Sequence, residues 1–138
     1  CDVNGTLALD GELLPGIAMA LEELKPILNI HMLTADTHGK QKDHARVLGI
    51  DSHILTPGNE AEQKAAFIRQ LGTKHVAAIG QGANDALMLK EAALGICVLS
   101  SEGATTDTLM NADLITPDIF SGLALFTHPQ RLVATLRK

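Results

Sequence analysis

Short apolar runs, each separated from the next by a stretch with helical spacing, constrain this chain more than any other feature. The runs lie at residues 29–34, 50–55, 75–79, 96–99 and 114–115. Helical spacing is read over 16–28, with Ile17, Leu21, Leu24 and Leu28 on one face and Pro26 expected to end or kink it. Further helices are expected at 38–48, with Thr37 as a cap, and at 60–71, with Ala61, Ala65, Ile68 and Leu71 or residues near them inward and Gly72 closing. Others follow at 84–93, at 104–111 and within 123–136, where Pro129 marks a boundary. Strands that are apolar throughout belong to parallel sheets covered on both faces. The expected fold is a three-layer, doubly wound α/β domain, Rossmann-like, spanning 1–138. Ligands in such folds gather at the carboxyl ends of the strands.

Composition narrows the function classes. A net charge of −5 and a pI near 5.6 give no basic face for nucleic acid. No apolar run is long enough to span a bilayer, and no signal peptide is visible. Cys1 and Cys97 make no disulfide framework, so a cytoplasmic, reducing setting is expected. The chain begins without Met and with almost no strand ahead of Asp2, so a leading strand is expected to be missing.

The strand-end rule makes a short list of chemistry. Asp2 leads into the turn Asn4-Gly5-Thr6, followed by a ribbon over 7–14 that bends at Asp10-Gly11. Thr34 ends the second apolar run, Gly80-Gln81-Gly82-Ala83-Asn84-Asp85 follows the run at 75–79, and Lys64 lies early in the helix at 60–71. Each alone has a plain reading: a hairpin turn, a strand terminus, a solvated lysine, a helix cap. Together they supply a carboxylate nucleophile, a hydroxyl and an ammonium for phosphoryl oxygens, and a second carboxylate for Mg2+. The six histidines show no paired ligand spacing and read as scattered surface or strand residues.

In that order the residues resemble the haloacid dehalogenase superfamily, and within it the soluble P-type-ATPase-like phosphatases. Asp2-Val3-Asn4-Gly5-Thr6 matches the first motif, Leu33-Thr34-Ala35-Asp36 the second, Lys64 the third, and Gly80 to Asp85 the fourth. The resemblance implies an aspartyl-phosphate on Asp2, with Thr34 and Lys64 holding the phosphoryl group and Gly5, Thr6, Ala35 and Asn84 lining the substrate. It also implies Mg2+ on the Asp2 side chain, the Asn4 carbonyl and Asp85. Two departures matter. Asn4 stands where the family's phosphatases usually carry an acid/base Asp, and an amide exchanges no proton at neutral pH. Gln81 replaces a usual acidic metal ligand, leaving an amide oxygen in its place. The expectation is a Mg2+-dependent phosphohydrolase or phosphotransferase that favours acyl phosphates and nucleotide anhydrides over alkyl esters. A catalytically impaired phosphate-binding or regulatory module is the alternative. A receiver domain fits poorly, since its phosphorylated Asp sits at a middle strand. The intervals between motifs leave no room for a cap domain, only the small β-hairpin as a flap. An open site suits a phosphorylated small molecule or phosphoprotein, or closure by a second copy in a homo-oligomer.

Overall fold

Side-chain alternation along the strands decides where the layers go. In the computed structural model, which describes residues 1–35 and 39–137, the main strands are β3 (His31–Thr34), β4 (Asp51–Ile54), β5 (Ala77–Gly80), β6 (Leu94–Val98) and β7 (Leu114–Thr116). Met32, Ile79, Ile96 and Val98 enter one apolar cluster, while their neighbours Leu33, Ala78 and Cys97 enter the other. Period-two alternation puts adjacent residues on opposite faces, so both faces must be covered. Helices α1 (Ile17–Glu22) and α6 (Ile119–Thr127) supply Ile17, Leu21, Ile119 and Leu123 to the first cluster, and α2 (Gln41–Leu48) adds Leu48. On the other face α3 (Glu60–Leu71) and α4 (Ala86–Glu91) supply Ile68, Met88 and Leu89, with Leu109 of α5 (Thr106–Asn111) packed against them. Helix α7 (Pro129–Leu136) completes the order.

All registers between these strands are parallel: β3 pairs with β4, and β5 with β6, which pairs with β7. The opening residues join the two groups. Leu33 N donates to Cys1 O at 2.9 Å and Asp2 N donates to Ile79 O at 2.9 Å, so this segment lies between β3 and β5. The chain then turns over Val3, whose carbonyl accepts from Thr6, Leu7 and Ala8 N, and enters the antiparallel pair β1 (Ala8–Leu9) and β2 (Glu12–Leu13). Asp10 and Gly11 carry φ of 51° and 76°, the two left-handed residues of the expected hairpin turn. Between β1 and β3 the chain makes only this hairpin and α1, so no cap domain lies there.

The differences from expectation have local causes. The first helix closes at Glu22 rather than Leu28; Pro26 disfavours helix at the residue before it, and hydrogen-bonded turns carry Leu24 and Leu28 onward. Strand β5 starts at Ala77 because Gly72, at φ 90°, leads into a 3-10 turn over Thr73–His75. The helix expected from Asn84 begins as a 3-10 turn, Ala83–Asp85, before α4. Helix α6 begins at Ile119, ahead of the expected 123, since the Asp118 carboxylate accepts from Ser121 N at 2.7 Å and Ser121 Oγ at 2.9 Å. The start expected at His38 and the Thr37 cap, like Asp36, lie outside the described residues; α2 is described from Gln41.

Candidate active site

A buried lysine needs a reason, since desolvating an ammonium costs several kcal/mol unless carboxylates compensate. Lys64 is 1% exposed, and its Nζ donates to Asp2 Oδ1 at 2.7 Å, Asp85 Oδ1 at 2.6 Å and Asn84 Oδ1 at 3.3 Å. Its three donors are thus all used. This fixes the rotation of α3: Lys64, Ala65 and Ile68 point inward, Ala61 is half-buried, and Leu71 is exposed rather than inward.

The carboxylates come from the ends of neighbouring strands. Asp2 is buried beside β3 and β5, with Oδ2 accepting from Thr6 Oγ1 at 3.4 Å. Asp85 is fully buried, its Oδ2 accepting from Gln81 N and Gly82 N at 3.0 Å each. Gly80 permits this close approach, because a Cβ there would stand 2.5 Å from Asp85 Cγ. Thr34 ends β3 buried, and Ala35 follows it on the surface. Gly5, at φ 75°, has no room for a side chain: a Cβ would collide with the Gln81 amide and stand 2.7 Å from Glu102 Oε2.

Two buried carboxylates share one ammonium, leaving one uncompensated negative charge. Burial pushes the Asp2 carboxyl up to about 6, the Asp85 carboxylate adds to the rise, and Lys64 counters it in part. Burial works against the Lys64 charge, but Asp2 and Asp85 outweigh it and hold its pKa above the usual lysine value. That surplus negative charge, set among hard oxygen donors from Asp2, Asp85, the Asn4 carbonyl and Gln81, suits a hard divalent cation that keeps part of its water shell. No cluster of three His, Cys, Asp or Glu side chains with metal-site geometry occurs among the described residues, so a cation here would rely on carbonyl, amide or water oxygens as well.

The structure thus brings Asp2, Lys64, Asn84 and Asp85 into direct contact, and sets Thr6 and Gln81 on their immediate neighbours. Asn4 and Gly5 lie on the turn that follows Asp2, and Thr34 and Ala35 lie at the end of the adjoining strand β3. Sequence reasoning missed Glu102, on the turn after β6; that turn also follows a strand's carboxyl end, the signal by which it is found. The histidines are less scattered than expected. His31 Nδ1 and His53 Nε2 stand 3.3 Å apart on β3 and β4, packed on Phe67, at the sheet's edge.

Comparison with known proteins places the fold. The family model described as haloacid dehalogenase-like hydrolase matches residues 2–93. An uncharacterized protein of Methanocaldococcus jannaschii is 40% identical over 84 residues, 58% of this chain and 90% of that one. The copper-exporting P-type ATPase B of Archaeoglobus fulgidus is 33% identical over 119 residues, covering 83% of this chain but 16% of the ATPase. Among solved structures, the 3-deoxy-D-manno-octulosonate 8-phosphate phosphatase of Moraxella catarrhalis, bound to magnesium and phosphate, superposes with a TM-score of 0.73 at 20% identity, over 99% of this chain and 90% of that one. A zinc-transporting PIB-type ATPase gives a TM-score of 0.67 at 28% identity, over 90% of this chain and 20% of the ATPase. The chain belongs to the haloacid dehalogenase-like hydrolases.

Proposed function

We propose that the protein is a Mg2+-dependent phosphohydrolase that works through an aspartyl-phosphate on Asp2. The observation that carries this reading is the Lys64 ammonium, buried and bonded to both Asp2 and Asp85 at the carboxyl edge of the sheet. Asp2 Oδ attacks the phosphorus of the substrate; the bond from phosphorus to the leaving oxygen breaks, and that oxygen keeps the electron pair. Thr34 and Thr6 orient the phosphoryl oxygens, joined by Lys64 once it exchanges one of its three present bonds for a phosphoryl oxygen, with Gly5, Ala35 and Asn84 shaping the space around them. Asp2, the Asn4 carbonyl and Asp85, with Gln81 nearby, would hold a Mg2+ ion, which when bound would supply charge neutralisation between the nucleophile and the incoming phosphate. Lys64 already bonds Asp85 directly and keeps Asp2 turned toward the same point.

Asn4 sets the preference among substrates. General acid assistance is worth about 10²–10⁴-fold, and an amide cannot provide it. Acyl phosphates and nucleotide anhydrides leave without a proton, so they are the favoured class, as small molecules or as a phosphorylated protein. With only a hairpin over the site among the described residues, a second copy in a homo-oligomer is the proposed cover. Turnover of acetyl phosphate, ATP and p-nitrophenyl phosphate with Mg2+ tests the reading. Hydrolysis of the first two that disappears in Asp2→Asn supports it; activity indifferent to Asp2→Asn refutes it. Tight binding of a phosphate analogue with no turnover would instead favour a regulatory module.

A further inference from the structure

We propose that Glu102 is the general base that activates the water attacking phospho-Asp2, the task for which Asn4 carries no proton-accepting group. The proposal rests on the aspartyl-phosphate reading. Glu102 Oε2 stands 2.7 Å from the point a Gly5 Cβ would occupy, which places the carboxylate against the nucleophile loop, beside the Gln81 side chain. Hydrogen bonds within the turn fix the backbone that carries Glu102. Glu102 N donates to Ser100 Oγ at 3.1 Å, Gly103 N donates to Ser100 O at 2.9 Å, and Ser100 Oγ donates to Gly103 O at 3.2 Å. Downstream, Thr105 N donates to Gln81 O at 3.1 Å, tying this turn to the loop that carries Asp85.

The surroundings suit proton transfer from water. Glu102 is exposed, and no ion pair to it occurs among the described residues, so its charge is not consumed by a cation. A cavity of about 400 Å³, lined by Gly5, Thr6 and Ser100 together with apolar side chains such as Leu9, Leu14 and Val98, adjoins the nucleophile turn. In the step, a water proton passes to the Glu102 carboxylate while the water oxygen bonds to phosphorus. The bond from phosphorus to Asp2 Oδ breaks, its electron pair returns to the Asp2 carboxylate, and inorganic phosphate leaves. Glu102 then releases its proton to solvent.

The test separates formation from decay of the phosphoenzyme. Protein is phosphorylated with acetyl phosphate and Mg2+, freed of excess reagent, and followed for loss of phosphate. Glu102→Gln is expected to form phospho-Asp2 at the wild-type rate and to lose it about 10²–10⁴-fold more slowly. Wild-type decay should rise with pH through one ionisation that is absent from the variant. Adding Asn4→Asp to Glu102→Gln should restore fast decay, because it puts a carboxylate back on the same loop. Unchanged decay in Glu102→Gln overturns the proposal. So does slowed formation with a raised Mg2+ requirement, which would make Glu102 a metal ligand. If wild-type protein forms no phosphoenzyme, the underlying reading falls and this one with it.

Discussion

Lys64 is the residue whose surroundings most shape the site. Its ammonium stands between carboxylates contributed 62 residues upstream and 21 residues downstream. Removing it in Lys64→Met leaves Asp2 and Asp85 facing one another in a buried space, so a loss of about 3–5 kcal/mol is expected in urea unfolding at neutral pH. Asp2→Asn is expected to act oppositely, and the sign follows from its raised pKa. A carboxyl held up to about 6 in the folded state contributes stability that is complete below the unfolded value near 3.8 and lost as pH rises through about 6. The variant lacks that ionisation. Its melting temperature relative to wild type should therefore climb between pH 4 and 7, by an amount worth at most about 3 kcal/mol. A flat difference across that range would contradict the account. Lys64 also shows where sequence reading fails at this scale. Apolar spacing along 60–71 selects Ala61 and Leu71 as inward because a lysine is assigned to solvent by default. The groups that make its burial possible lie on other strands, and only a motif, not periodicity, connects them.

At the scale of elements, the strands are legible because they are short, apolar and buried on both faces, and the hairpin because Asp10-Gly11 demands its turn type. Helix ends are less legible. Asp118 and Ser121 carry the cap signal that starts α6, but the strongly apolar run inside the helix outweighs it and draws the expected start to 123. Asp118→Ala removes that cap and should cost about 1 kcal/mol in unfolding experiments while leaving phosphoryl transfer unchanged. Gly80→Ala should behave differently. A Cβ 2.5 Å from Asp85 Cγ forces the carboxylate away from Gln81 N and Gly82 N, so both stability, by about 1–3 kcal/mol, and the Mg2+ requirement for activity should suffer. An activity assay over a Mg2+ titration checks this, and an unaltered requirement would contradict it. An exposed ion pair between Lys40 and Glu12 links the hairpin to the loop ahead of α2.

For the whole molecule, the parallel sheet brings its chemistry to one edge because every strand ends on the same side. That arrangement is legible from the alternation of strands and helices, and it leads to Asp2, Thr34 and the Gly80 loop. The turn after β6, where Glu102 sits, obeys the same rule but carries no motif that singles it out. The uncompensated charge of the site has a global consequence. On the proposed site, Mg2+ should raise the melting temperature, and more strongly as pH rises through about 6, because it would be held by the ionised form of Asp2. A shift independent of pH would argue that the cation binds elsewhere. Among the described residues no helix is long and apolar enough to cross a membrane.

The central claim is that Asp2 carries the phosphoryl group. Protein incubated with acetyl phosphate and Mg2+, reduced with borohydride and mapped by mass spectrometry measures this directly. Homoserine at position 2, absent without acetyl phosphate and absent in Asp2→Asn, is the predicted result. Reduction at another carboxylate, or none in protein that hydrolyses acetyl phosphate, would contradict it.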